Sequence, residues 1–353
     1  MNLFRFIRVE KLAPSYFSLV MATGIDSITS YLLGFSTAAD IFLAINIIFY
    51  LVLVFFYVWR AIYFTSETKS DILNQKKNFG YFSFIAGTVV LGTQLELVWN
   101  DVIIGVVLWI VAVVSLIVIG YGISFITIKR VQKPASLFSR ITGAWLLATV
   151  ATQSVSILCI VISHKFFMHE TSILIFLSLL TWLLGGAFYI WIISIIGYRL
   201  VFISISPLDL SPTYWVNMGA AAISAVAGST LVQDGNHTSI IVVLIPFIKA
   251  IILLDWTVAT WWIPLLGLLG VWKHLVHKIP IRYEVGYWAM VFPIGMYSLS
   301  CVKIAEVFHI FFLGLAAYNF YSISLLCWVF TAYGMCKTVC VRLLADLRPR
   351  NHS

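Results

Sequence analysis

The sequence predicts an all-α integral membrane protein, with ten transmembrane helices arranged as five helical hairpins. Of its 353 residues, 61% are hydrophobic and 10% are charged, whereas a soluble domain has about 25% charged residues. About ten apolar segments can be drawn, each near the roughly 20 residues needed to cross a bilayer. These segments alternate between two compositions. A soluble multidomain protein is therefore excluded.

The odd-numbered apolar segments are rich in Gly, Ala, Ser and Thr. Small residues let helix backbones approach one another, and their hydroxyls can offer polar groups to a transport path. We therefore expect these segments to be inner helices. Their approximate positions are 14–33, 80–99, 138–161, 212–232 and 285–308.

The even-numbered segments are bulky and aliphatic, which suits contact with lipid. We expect them to be outer helices at approximately 40–61, 102–127, 171–199, 239–264 and 317–341. The repeating unit is one hairpin, and all odd segments run in the same direction. The sequence thus predicts a single transmembrane domain over residues 1–353, in which five hairpins surround a central pore. The alternative is a plain bundle in which the small residues serve packing only. Short loops should join the segments, and the longest expected loop, 65–78, is polar and charged.

The distribution of Lys and Arg predicts the orientation. With the N-terminus inside, the cytoplasmic side collects all of the 22 Lys and Arg residues except Lys165, Lys249 and Lys303. Because cytoplasmic loops carry an excess of Lys and Arg, both termini should be cytoplasmic, in a multi-pass protein of the cell membrane. This topology explains the net charge of +8, so no nucleic-acid partner is expected.

Signatures of soluble enzymes and of oxidised scaffolds are absent from the sequence. The five Cys fall in apolar segments without paired spacing, so we expect buried free thiols. We find no Gly-rich phosphate loop, no HExxH motif and no credible nucleophile arrangement. The protein is expected not to be an enzyme and to hold no cofactor or metal.

The most informative stretch is 284–303, EVGYWAMVFPIGMYSLSCVK. Pro293 removes a backbone donor and should kink a helix there, and such a break belongs against protein or a water-filled path. Phe292 precedes it, and Lys303 follows eleven residues later, about three turns or roughly 16 Å along the same face. This spacing predicts an aromatic ring that occludes an anion path, with a cation beyond it. The alternative is a kinked helix whose Phe packs in a core.

Three segments resemble the tellurite-resistance/dicarboxylate transporter family, which includes plant slow-type anion channels, fungal malate permeases and sulfite pumps. They are APSYF at 13–17 leading into MATG at 21–24, SPTYWVNMGA at 211–220, and GYW at 286–288 with FPIGMY at 292–297. The resemblance covers essentially the whole chain. It implies quasi-fivefold helical hairpins, a homotrimer with one pore per subunit, and occlusion of that pore by Phe292.

Hydroxyl and amide groups of the inner segments are candidate pore-lining donors, and such groups hold an anion weakly enough for release. With Phe17, the predicted lining is Thr23, Thr88, Thr93, Thr149, Thr152, Asn217, Ser224, Ser298 and Ser300. Each hydroxyl could instead be satisfied within its own helix. Lys303 and Arg140 are candidate outer and inner attractors for anions, or interfacial cations whose stems lie along apolar surface.

The primary functional prediction is membrane transport of small inorganic or carboxylate anions. A competing prediction is a proton-coupled carrier of malate-like C4-dicarboxylates, for which Asp26 and Glu96 are the candidate proton-binding acids. A tellurite or sulfite exporter is a narrower version of the carrier. A membrane sensor or scaffold is the alternative from outside transport.

Overall fold

The computed structural model describes residues 9–129, 140–166, 171–235 and 238–347. Both termini, positions 138 and 139, and the predicted cytoplasmic residues Arg5, Arg8, Arg130, Lys133, Arg348 and Arg350 lie outside these ranges. Throughout the described ranges the regular structure is helical. The α-helices are α1 (Ser18–Leu32), α2 (Ser36–Tyr63), α3 (Thr65–Leu73), α4 (Phe82–Trp99), α5 (Val102–Lys129), α6 (Leu147–Phe166), α7 (Thr171–Phe202), α8 (Val216–Asp234), α9 (Ser239–Val271), α10 (Trp288–Phe308) and α11 (Leu313–Leu347).

Within the described ranges, nine helices are long and apolar enough to cross a membrane. The predicted span 14–33 is not among them. It consists of a 3-10 turn, Pro14–Phe17, followed by the 15-residue helix α1, which carries Asp26 among several Ser and Thr. Its polarity is accommodated because residues 18–30 are all buried inside the protein.

The helices divide into two sets by burial. In the most apolar window of α4, α6, α8 and α10, between 72% and 94% of residues are buried, whereas the share is 17–39% in α2, α5, α7, α9 and α11. We call α1, α4, α6, α8 and α10 the buried helices and the long remaining ones the exposed helices. Large apolar side chains cover the exposed set, as a helix facing lipid requires.

Contacts between helices follow a simple order. Each buried helix packs against the exposed helix that follows it in sequence, and the buried helices contact one another in the closed order α1, α4, α6, α8, α10 and back to α1. Each buried helix is preceded by a 3-10 turn, and these five turns contact one another in the same closed order. The turns are Pro14–Phe17, Asn78–Tyr81, Gly143–Leu146, Pro212–Trp215 and Val285–Tyr287. We call this end of the protein the base.

Three of the exposed helices end at the base with a cation that binds the start of its own hairpin. Arg60 of α2 donates to the Glu10 carbonyl through Nη2 at 3.2 Å. Arg199 of α7 donates to the Ile141 carbonyl, and Lys273, just beyond α9, donates to the Leu210 carbonyl at 2.7 Å. We call these three hydrogen bonds the basic clamps. Each satisfies a carbonyl ahead of a 3-10 turn and fixes the two ends of one hairpin together.

Two sequence expectations are corrected by the structure. The polar segment between α2 and α4 was expected to be a loop, but it contains α3, whose Asp71 lies 2.6 Å from Arg60 and 2.8 Å from Lys77. The five Cys are free, but Cys336 and Cys340 are exposed instead of buried. They lie on α11, an exposed helix whose apolar composition reflects contact with lipid instead of burial in protein.

Candidate functional site

A cavity of about 90 Å³ lies among the buried helices, and all five contribute to its wall. The lining residues are Ile25, Ile28 and Leu32 of α1; Val89, Val90, Thr93 and Leu97 of α4; Ser154, Ile157 and Val161 of α6; Ile223, Val226, Thr230 and Asp234 of α8; and Met296, Leu299 and Lys303 of α10. All of these residues lie beyond the first turns of their helices. The cavity therefore occupies the half of the protein away from the base.

Most of this wall is aliphatic, and its ionisable residues lie toward the ends of their helices. Lys303 is in the last two turns of α10, and Asp234 is the final residue of α8. Thr93, Ser154 and Thr230 provide hydroxyls between the aliphatic side chains. The cavity is thus an apolar vestibule with charged groups at its far mouth.

Phe292 lies on the cavity-facing side of α10. The α10 residues that line the cavity are Met296, Leu299 and Lys303, which follow Phe292 by four, seven and eleven positions. Residues at this spacing share one face of a helix. The Phe292 ring is fully buried. It lies one turn nearer to the base than Met296, the α10 residue of the wall that is nearest the base.

Phe292 is much larger than the residues at the same position in the other four buried helices. The fifth residue is alanine in four of the five helices, and these alanines are Ala22, Ala86, Ala151 and Ala220. In α10 the fifth residue is Phe292. Because the preceding 3-10 turns contact one another in a closed order, the helices start at similar levels. One large side chain therefore shares its level with four methyl groups, all fully buried.

Helix α10 continues through Pro293, whose ring packs closely against α8. A Cβ atom added at Gly219 would lie 2.7 Å from the Pro293 Cγ, so only glycine leaves room for the proline there. Phe292 and Pro293 lie in the second turn of α10, nearer its start than its middle.

The predicted hydroxyl donors are mostly satisfied by carbonyl groups. Five of them donate to the carbonyl four residues earlier in their own helix, and these are Thr23, Thr88, Thr93, Thr152 and Ser224. Ser300 donates to the Tyr297 carbonyl, and Ser298 donates to the Ala317 carbonyl of α11. Of the predicted hydroxyl and amide residues, Thr93 is the one that lines the cavity.

Several of these hydroxyls also join buried helices to exposed ones. Thr23 accepts the Trp328 indole N–H at 3.0 Å, and Thr88 lies 3.1 Å from the Tyr50 hydroxyl. Phe17 packs against Tyr50, Tyr57 and Phe84, between α1, α2 and α4.

The Thr149 hydroxyl and the Asn217 side-chain amide differ from the other predicted donors. Both are fully buried and have no hydrogen-bond partner among the described residues. Buried polar groups are normally paired, so these two retain donors that could serve a ligand or water.

The two predicted cations are placed differently. The Lys303 ammonium lies 3.2 Å from the Glu306 carboxylate and 3.1 Å from the Gln233 side-chain oxygen. Arg140 is half-buried near the base, ahead of the 3-10 turn Gly143–Leu146. Glu306, Gln233 and Asp234 were missed by sequence reasoning, although Glu306 follows Lys303 at the i,i+3 spacing that brings side chains together on a helix.

Neither predicted proton-binding acid is among the residues that line the cavity. Asp26 is fully buried, and its Oδ1 accepts a hydrogen bond from Ser324 of α11 at 2.6 Å. A Cβ atom added at Gly295 would lie 3.0 Å from the same oxygen, so Asp26 sits where α1, α10 and α11 meet. Glu96 is also buried, and it pairs with Lys165 at 2.5 Å.

Comparison with known proteins agrees with this architecture. An uncharacterized transporter of Methanocaldococcus jannaschii, MJ0576, is 22% identical over 332 residues, covering 92% of both chains. A second from the same organism, MJ0762, is 20% identical over 330 residues, covering 92% of this chain and 93% of its own. An uncharacterized membrane protein of Mycobacterium tuberculosis, Rv1735c, is 35% identical over 122 residues, which are 35% of this chain and 61% of the relative.

The match to Rv1735c thus spans less than two thirds of that relative's length, whereas the archaeal transporters match almost throughout. Residues 11–336 match the SLAC1 family, described as voltage-dependent anion channel. This range includes the whole cavity, Phe292 and all five 3-10 turns of the base. The chain is therefore a membrane protein that belongs to the SLAC1 family of voltage-dependent anion channels.

Proposed function

We propose that the protein transports small inorganic or carboxylate anions across the cell membrane, through a pore in each subunit that Phe292 occludes. One observation supports this proposal: a cavity walled by all five buried helices ends, toward the base, next to the level that Phe292 shares with four alanines. An aromatic ring among methyl groups can close a narrow path. Its displacement would leave a gap bounded by small side chains.

The proposed architecture is the quasi-fivefold arrangement of five hairpins that the resemblance implies, within a single transmembrane domain. The closed order of helix contacts and the contacts between the five 3-10 turns support it. The proposed orientation places the base and both termini in the cytoplasm, because Lys and Arg concentrate on that side. The homotrimer rests on the resemblance and can be tested by mass measurement of the purified protein.

The wall of the cavity suits weak, unselective anion binding. Its surface is largely aliphatic, the Thr93 and Thr230 hydroxyls donate to carbonyls within their own helices, and Lys303 is the cation at the mouth. Conduction requires binding that favours entry and still permits release. A lone cation at the mouth attracts anions without holding them along the path.

The direct test is anion flux into proteoliposomes under an imposed voltage, with wild type, Phe292→Ala and Phe320→Ala compared at equal protein density. Phe320 is a matched control because it loses the same ring from exposed helix α11, where it contacts Tyr297. We expect Phe292→Ala to raise chloride and nitrate flux at least about tenfold, which corresponds to lowering a barrier by about 1.4 kcal/mol. The control should behave as wild type.

Unchanged flux in a folded Phe292→Ala protein would contradict occlusion by this ring. Absence of flux in every variant, with each correctly folded and inserted, would contradict transport itself and favour a sensor or scaffold.

The second candidate function is a proton-coupled C4-dicarboxylate carrier, with a tellurite or sulfite exporter as a narrower form. It is favoured by one observation, the presence of Asp234 in the cavity wall on the helix adjacent to that of Lys303, because an acid there could bind a proton together with a dianion. The same proteoliposomes test it with malate. Malate flux that requires a pH gradient, with little chloride leak, would support the carrier over the channel.

A further inference from the structure

A second cavity lies at the base, away from the buried helices' central cavity. It has a volume of about 290 Å³ and is bounded by the start of α8, the end of α9 and the start of α10. Apolar and aromatic side chains form most of its wall, including Pro212, Trp215, Leu266, Leu269 and Met290. Lys273 and His274 also line it. We call this cavity the α9 groove.

Two glycines of α9 open the groove. Gly267 and Gly270 line it, and a Cβ atom added at either one would meet no other atom within 4 Å. Gly219, in contrast, admits Pro293 of a neighbouring helix. Because Gly267 and Gly270 meet no atom of the chain and also line a cavity, the space beside them is open to a molecule from outside.

The rim of the groove combines positive charge with exposed apolar side chains. The segment 272–284, which follows α9, contains Lys273, His274, His277, Lys278 and Arg282, against the single acid Glu284. Between these lie Leu275 and Ile281, whose side chains are 71% and 72% exposed. A segment that alternates cations with exposed aliphatic residues fits the boundary between headgroups and acyl chains.

The rim also retains hydrogen-bond donors. The Lys273 ammonium gives one donor to the Leu210 carbonyl, which leaves two of its three. His274 Nδ1 lies 2.7 Å from the Ile279 carbonyl and donates to it, because a carbonyl oxygen only accepts. The other ring nitrogen, Nε2, donates to a phosphate when the ring carries its second proton. Both residues are half-buried, and their positions are fixed by these backbone contacts.

We infer that the α9 groove binds one anionic phospholipid. An acyl chain would lie against Leu266, Leu269 and the two glycines, and the phosphate would bind at Lys273 and His274. The groove matches such a lipid along its length. Its walls are apolar, two glycines leave open space on a helix that faces the bilayer, and its cationic end lies at the membrane boundary. This inference does not depend on anion transport.

The site also adjoins the proposed gate. Met290 lines the groove and lies two residues before Phe292. Trp215, another lining residue, ends the 3-10 turn that precedes α8. An occupied groove would therefore brace the starts of α8 and α10 at the base.

The test is native mass spectrometry of the full chain, released from nanodiscs that contain equal amounts of phosphatidylglycerol and phosphatidylcholine. Two variants challenge the site: Gly270→Leu fills the groove, and His274→Glu places a negative charge at its rim. Each has a matched control. Gly197→Leu changes a glycine of α7 that also has no atom within 4 Å, and His277→Glu changes the same loop at a residue outside the groove lining.

We expect wild type and both controls to retain one phosphatidylglycerol in preference to phosphatidylcholine. Gly270→Leu should abolish this preference, and His274→Glu should reduce retention about fivefold, as one added negative charge near an anionic headgroup implies. Equal retention of the two lipids by wild type would overturn the inference, and so would full retention of phosphatidylglycerol by Gly270→Leu. A wild-type oligomer that carries no lipid and is dissociated by Gly270→Leu would assign the groove to a second copy of the chain instead.

Thermal unfolding of detergent-solubilised wild type distinguishes binding of a whole lipid from binding of a phosphate group alone. Short-chain phosphatidylglycerol should raise the melting temperature, and inorganic phosphate at the same concentration should not. An equal shift with inorganic phosphate would reduce the site to an anion site and would contradict the role given to the acyl chain.

Discussion

The two halves of the buried helices differ in what their inward side chains do. Beyond the middle of the helices, Ile25, Val89, Ser154, Ile223 and Met296 stand apart and leave a cavity. Toward the base, the same five helices carry four small methyl groups and one large ring, and no side chain at that level is exposed. The two levels therefore differ in the sizes of the side chains that the five helices carry.

This comparison teaches that an open and a closed segment can be built on one set of parallel helices. In the cavity half, medium-sized side chains from all five helices line the wall. In the base half, the proposed closure depends on Phe292, because the residues at the same position in the other four helices are alanines. A path of this kind can be opened by moving a single side chain, whereas a wall made of five equal side chains would have to move as a whole.

The largest expected effect comes from moving the obstruction from one half to the other. Ile157 lines the cavity on α6 and is only half-buried, so Ile157→Trp should fill part of the open half. In the Phe292→Ala background we expect this change to reduce anion flux at least about tenfold, a barrier increase of about 1.4 kcal/mol. The measurement is voltage-driven chloride flux in proteoliposomes.

Ile192→Trp serves as the control for added volume, because Ile192 is a buried residue of exposed helix α7 that does not line the cavity. A double variant Phe292→Ala/Ile157→Trp that conducts as well as Phe292→Ala would show that the cavity is not in the path.

A smaller effect is expected at the charged mouth. Lys303→Glu replaces the cation of the wall with an acid beside Glu306, so it should lower the preference for anions over cations by about fivefold or more. This follows from about 1 kcal/mol between unit charges 4 Å apart in water. Reversal potentials in a KCl gradient measure the preference, again in the Phe292→Ala background. A reversal potential that does not move would make Lys303 an interfacial residue without a role in selection.

The smallest expected effect is that of Glu306→Gln, which should raise the preference for anions instead of lowering it. Glu306 lies 3.2 Å from the Lys303 ammonium, and its side chain is 44% exposed, so its influence is screened by solvent. Glu306→Gln should leave Lys303 less neutralised and raise the anion preference by about twofold, within the range of exposed ion pairs. The effect should fade as KCl rises to 1 M, because salt screens exposed charges. A lowered preference at low salt would contradict this pairing.

Much of the helical plan could be predicted from the sequence, because hydrophobic length and residue size are local properties. Apolar segments that contain the membrane-length helices α4, α6, α8 and α10 were recognised from the sequence, whereas α1 was not recognised as too polar and short. The helix α3 was missed because its polar sequence resembles a loop. It is held in place by ion pairs of Asp71 with Arg60 and Lys77, and these contacts depend on tertiary structure.

The candidate site was less predictable, because the direction of a hydroxyl cannot be deduced from its presence in an inner segment. Ser298 donates to α11 and Thr23 accepts from Trp328, so both join helices instead of lining the cavity. Asp26 was a candidate proton-binding acid, but it lies beside Gly295 and Ser324, where α1, α10 and α11 meet. That position depends on the packing of three helices and could not be predicted from one segment. The spacing from Phe292 to Lys303, in contrast, is a property of one helix and could be predicted from the sequence.

The basic clamps have a consequence for biogenesis. Arg60, Arg199 and Lys273 each bind a carbonyl of their own hairpin, on Glu10, Ile141 and Leu210 respectively. Each contact therefore links residues that are synthesised together and needs no later part of the chain. A hairpin can close as soon as its second helix leaves the ribosome, before the next hairpin is made, and domains generally mature from the N-terminus in this way. In these three hairpins, the two ends can therefore be joined before the hairpins associate with one another in the membrane.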